Sequence, residues 1–143
     1  MTKPSLADEA TLTQALRDVF APWVRELNLR LLNAQEGEVH LALPVAAAHV
    51  HGGGVMCGQS LMAAADTAMV LAVMTRLGDF QPMTTVQLQT SFLRAVPGTL
   101  GTEVRLVARV LRMGKNLVFG EIHAFNAQGQ LAAQTTTTYA LLG

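Results

Sequence analysis

Asp66 is the single carboxylate in the run from His51 to Leu77, HGGGVMCGQSLMAAADTAMVLAVMTRL, a Gly-rich turn feeding a long helix of Ala, Met, Val and Leu. An acid midway along such a helix must be paired, neutralised or used, because burying an unpaired carboxylate is costly. Used, it can take a proton from water or attack an electron-poor carbonyl carbon. Held as structure, it would pair with a buried Arg or cap a neighbouring helix. The nearby groups are ambiguous on their own. Gly58 is either a packing glycine or a helix-start amide free to hold an oxyanion. Cys57, beside that start, has a setting that can favour the thiolate, but the sequence specifies no base to partner it. His49 reads as a loop histidine, and His51 is either that or a hydrogen-bond donor.

The elements that must position these groups follow from apolar periodicity. Leu12, Leu16, Val19 and Phe20 predict an amphipathic helix over Leu6 to Trp23, ended or bent by Pro22. Leu27 to Ala34 and Glu38 to Leu43 predict a hairpin turning at Gln35-Glu36-Gly37. The central helix, within Val55 to Leu77 and starting near Gly58, stops at Gly78. Four alternating strands complete the chain: Thr84 to Leu93, Thr102 to Leu111, Leu117 to Phe125 and Leu131 to Leu142, with turns at Pro97-Gly98, Met113-Gly114 and Gln128-Gly129. One long helix followed by a four-strand meander predicts a single α+β domain over residues 1–143, an antiparallel sheet wrapped around that helix.

Composition excludes several classes. Ten basic residues balance ten acidic ones, so no overall field gathers nucleic acid or an anionic membrane. The central helix has nearly the length of a bilayer span, but Asp66 at its middle and the alternating strands elsewhere favour burial in protein. One cysteine permits no internal disulfide, no zinc-type spacing is present, and the first residues show no apolar stretch behind Lys3, so a cytoplasmic chain without a metal is expected.

The segments HGGGVMCGQSLMAAADTA, TTVQLQTSFLRAVPG and LRMGKNLVFGEIHAFNAQGQLAAQTTTTY together resemble the hotdog-fold acyl-CoA thioesterases of the PaaI-like, phenylacetate-degradation type. The resemblance runs from His51 to the C-terminus. That family carries N-x-x-G-x-x-H-G-G-x-x-x-x-L-x-D ahead of a Ser or Thr at the start of the next strand. Counting back from Asp66, the family's HGG falls on Cys57-Gly58-Gln59, its upstream Gly on Gly54 and its Asn on His51. Cys57 and His51 therefore replace the family's His and Asn, and the conspicuous His51-Gly52-Gly53 is out of register.

The resemblance implies hydrolysis of an acyl-CoA thioester. Asp66 would act as base or nucleophile, Thr85 would position water, the Gly58 amide would hold the thioester oxygen, and His51 would donate a hydrogen bond. Arg94, Arg112 and the turn Gly114-Lys115-Asn116 would meet the nucleotide end of coenzyme A, which enters as part of the substrate rather than as a cofactor. Gly58 and Asp66 stand about 12 Å apart along one helix at 1.5 Å rise per residue. One carbonyl cannot reach both in one chain, so a homodimer, or a tetramer made of two dimers, is implied. Two alternatives stay open: a 3-hydroxyacyl thioester dehydratase of the same fold, which pairs a loop His with a helix acid at nearly the His51–Asp66 spacing, and an acyl-CoA binding module without chemistry.

Overall fold

The computed structural model describes residues 2–143. Helix α1, Glu9–Asp18, begins where Asp8 accepts the Thr11 amide at 2.8 Å, and it buries Leu12 and Ala15. It stops short of Trp23. Pro22 opens a separate short helix α2, Pro22–Arg25, where its missing N–H costs nothing, and it holds the preceding Ala21 extended. The single helix predicted over Leu6 to Trp23 is therefore two, with Val19, Phe20 and Ala21 as the connector. Asn28, in the left-handed region at φ 57°, turns the chain after α2, so β1 (Arg30–Gln35) starts later than the alternation from Leu27 suggested.

Strand β2, Glu38–Pro44, closes the hairpin. After a 3₁₀ turn at Ala47–His49, Val55 and Met56 are not helical. They bridge to Pro97 and Val50, and helix α3 occupies Gly58–Leu77. Gly78 ends it in the left-handed conformation, φ 93°, its N–H bonded to the Met74 carbonyl. Strands β3 (Met83–Phe92), β4 (Glu103–Met113), β5 (Leu117–Phe125) and β6 (Leu131–Leu141) follow.

All six strands form one antiparallel sheet in the order β1-β2-β4-β5-β6-β3. The four-strand meander predicted after the helix therefore holds only for β4, β5 and β6, because the strand that follows the helix crosses to the far edge and pairs with the last one. Val39, Leu41 and Leu43 of β2, Val104, Leu106 and Ala108 of β4, and Ile122 of β5 join α3 in one core. Thirteen of the twenty α3 residues are buried, so the sheet covers a helix that is apolar nearly all round. Gly120 permits this closeness, because a Cβ there would strike Met69 of α3 and lie 2.8 Å from the Arg109 carbonyl. The opposite face carries charge, including Glu38 paired with both Arg109 at 2.6 Å and His40 at 2.7 Å.

Candidate active site

Asp66 lies midway along α3, half-buried, facing the far edge of the sheet. Two hydroxyls meet it there. Thr85 of β3 donates to Oδ1 at 2.9 Å, and Tyr139 of β6 donates to the same oxygen while lying 2.9 Å from the Asp66 carbonyl. Thr85 and Tyr139 are cross-strand partners, which is why they arrive side by side. Immediately after Thr85 the β3 register slips by a bulge before Gln87, the kind of irregularity that re-aims side chains beside a site. Among the described residues, Oδ2 receives no hydrogen bond.

Tyr139 is buried, and its phenol is held well above the ordinary value. Burial contributes most, then the negative charge of Asp66 and the hydrogen bond to it, with the Thr85 hydroxyl opposing. The phenol therefore stays protonated and remains a donor. Asp66, Thr85 and Tyr139 together line a cavity of about 320 Å³ whose other walls are mostly apolar, among them Phe20, Trp23, Val70, Phe80 and Met83, with Thr67 and Thr84.

Gly58 stands at the other end of the same helix. No side chain caps this N-terminus, and the Cys57 thiol instead faces the Ser60 hydroxyl at 3.1 Å. A Cβ on Gly58 would meet only the tip of the Phe92 ring, at 3.0 Å, and that ring is 49% exposed and able to swing away. Packing alone gives a weak reason for glycine here. Gly58 and Arg94 line a separate cavity of about 390 Å³ with Met56, Leu61 and Phe92.

His51 is exposed in the turn before α3. Its Nδ1 accepts the Gly53 amide at 2.9 Å, leaving Nε2 as the ring's donor. Arg112 and Lys115 are exposed at the β4–β5 hairpin, where the Gly114 amide bonds the Leu117 carbonyl at 2.7 Å and the Asn116 carbonyl accepts the Leu141 amide at 2.8 Å. The Met83–Leu141 pairing places this hairpin at the Thr85 end of β3, whereas Arg94 follows the opposite end.

Within one chain, then, the structure gathers Asp66 and Thr85, adds Tyr139, which sequence reasoning missed, and keeps both apart from Gly58 and His51. The one signal for Tyr139 was period-two spacing with Thr135 and Thr137, which sets a phenol on the core face where its hydroxyl needs a partner.

An antiparallel sheet wrapped on one long helix, with a hydroxyl-held carboxylate in that helix, defines a hotdog-fold thioester hydrolase. The thioesterase superfamily model matches residues 48–133, and the chain belongs to that family. A putative esterase of Thermoplasma acidophilum is 29% identical over 126 residues, spanning 87% of this chain and 92% of that protein. Human acyl-coenzyme A thioesterase 13 is 27% identical over 133 residues, with the same coverage. A mutant form of the phenylacetic acid degradation protein PaaI of Thermus thermophilus superposes with a TM-score of 0.74 at 26% identity, covering 85% of this chain and all of that one.

Proposed function

We propose that this protein hydrolyses an acyl-CoA thioester at a site shared by two copies of the chain. The observation that carries the reading is the arrangement at Asp66: two hydroxyls donate to Oδ1, Oδ2 receives no hydrogen bond among the described residues, and the residue lines a largely apolar cavity. Oδ2 takes the proton from an attacking water or bonds to the thioester carbon itself. The carbonyl oxygen then gains charge, which a Gly58 amide at an uncapped helix start stabilises. Collapse breaks the C–S bond, and coenzyme A leaves as thiolate. When Asp66 has acted as base, the proton it took passes to the thiolate and the free acid departs. When it has acted as nucleophile, a water then cleaves the Asp66–acyl anhydride, releasing the acid, restoring the carboxylate and supplying the thiolate's proton.

Gly58 and Asp66 of one chain line different cavities, so a second copy running antiparallel supplies the amide. That arrangement also brings Arg94 of one copy toward the Arg112, Gly114, Lys115 and Asn116 hairpin of the other, a basic and amide-rich setting for the phosphates of coenzyme A. His51 Nε2 is a further donor at the Gly58 end. Likeness to human acyl-coenzyme A thioesterase 13 supports the substrate class. No separate cofactor is needed, and the single Cys57 suits the cytoplasm.

Thiol release from a panel of CoA esters tests the reading. Asp66→Asn is expected to preserve the fold and oligomer and to abolish nearly all turnover. Turnover retained by that variant would remove Asp66 from the chemistry, and a wild type that binds esters without cleaving any would leave a binding module.

A further inference from the structure

One wall of the cavity beside Asp66 comes from a part of the chain that the superfamily match does not include. Phe20, Trp23 and Val24 come from the α1–α2 region, ahead of the matched residues 48–133. They face Val70 of α3, Phe80 from the loop after it, and Met83 at the start of β3. We propose that this cavity seats the acyl group, that it accepts an uncharged apolar acyl chain, and that it rejects one ending in a carboxylate. The proposal rests on the reading of Asp66 as the group that acts on the thioester.

The wall chemistry sets the selection. Among the described residues of the one chain, no Arg, Lys or His lines the cavity. Its polar side chains are Asp66, Tyr139 and the threonines, and of these Thr67 is already committed to the Ala63 carbonyl at 2.8 Å. A terminal carboxylate would lose its water there, find no cation, and meet the charge of Asp66 instead. An alkyl or aryl group meets aromatic and aliphatic carbon on every other side. Trp23 is 61% exposed and Phe80 37%, which makes them an apolar rim rather than core. A volume of about 320 Å³ lies within the range of small-molecule sites. Each methylene buried there should add about fourfold to kcat/KM until the cavity is full.

Trp23 is the only tryptophan, so its emission reports on this cavity alone. The probe is S-octyl-CoA, a thioether that cannot be hydrolysed, with coenzyme A as the control. The expected result is a saturable shift of emission to shorter wavelength with the thioether and none with coenzyme A. In parallel, butyryl-CoA should exceed succinyl-CoA in kcat/KM by at least about a hundredfold, since they differ by a terminal methyl against a carboxylate. Trp23→Ala should raise KM for octanoyl-CoA several-fold more than for acetyl-CoA. Calorimetric binding of S-octyl-CoA without an emission change would place the acyl group elsewhere, and equal use of succinyl-CoA would overturn the selection. In both cases hydrolysis itself would continue, so the thioesterase reading would stand. If no ester were cleaved, the emission titration would still decide whether alkyl groups enter here.

Discussion

Oδ1 of Asp66 receives both Thr85 and Tyr139, an excess of donors for one atom that fixes the carboxylate's rotation and singles out Oδ2. A hydrogen bond to an ionised group contributes about 1.5–3 kcal/mol, so Tyr139→Phe should lower kcat by roughly ten- to a hundredfold with little change in KM. Steady-state kinetics on one good ester would show it, and a larger effect on KM than on kcat would mean that Tyr139 shapes binding instead. The phenol also makes a pH prediction. Its folded value lies above the unfolded 10.0, so the folded state holds that proton longer; the resulting stability is complete below about pH 10 and declines as pH rises further. Urea midpoints between pH 8 and 11.5 should fall more steeply in the wild type than in Tyr139→Phe. Because the chain has one tyrosine, absorbance at 295 nm follows this phenol alone, and Asp66→Asn should let it ionise at lower pH. Asp66 was legible from its apolar surroundings, and Thr85 through the family pattern. Tyr139 was not, because its role depends on the pairing of β3 with β6, which local alternation does not specify.

Element by element, alternation located every strand, but the four-strand meander read from their succession was wrong at β3. Nothing local says that β3 passes over α3 to join β6 rather than β4. The N-terminal helix was misread for a related reason: its period survives the break, and only Pro22 marks it. That break aims Phe20 and Trp23 at the cavity. Pro22→Ala should cost only about 0.4–1 kcal/mol through the freer unfolded chain, yet raise KM for long apolar esters by loosening the connector. Thermal melts beside a chain-length series would separate the two effects, and an unchanged series would mean that the connector holds its path without proline. Gly120 carries the opposite kind of constraint. Gly120→Ala sets a methyl against Met69, which can yield, and against the Arg109 carbonyl, which cannot, so a loss of about 1–3 kcal/mol is expected in denaturant titration.

At the scale of the whole molecule, β3 presents an edge of ten residues that pairs with β6 on one side only, among the described residues. Val86 is 59% exposed, Phe92 49% and Leu93 56% at this edge and just beyond it, an apolar margin that a second β3 would cover. Composition could not reveal this, since the chain has no net charge and an ordinary apolar content. The decisive measurement uses two inactive variants. Gly58→Pro removes the proposed donor with little harm to the helix, because proline is tolerated at the first helical position and Cys57 before it is already extended at φ −68°, ψ 146°. Alone, it should lower kcat by about 10²–10³. Co-refolded with Asp66→Asn, half of the random dimers would be mixed, and each mixed dimer would hold one site built from an intact Asp66 and an intact Gly58 on different chains. About a quarter of wild-type activity should then return, as a two-fold symmetric interface requires. If acid and amide worked within one chain, no mixture could regain activity that neither variant has.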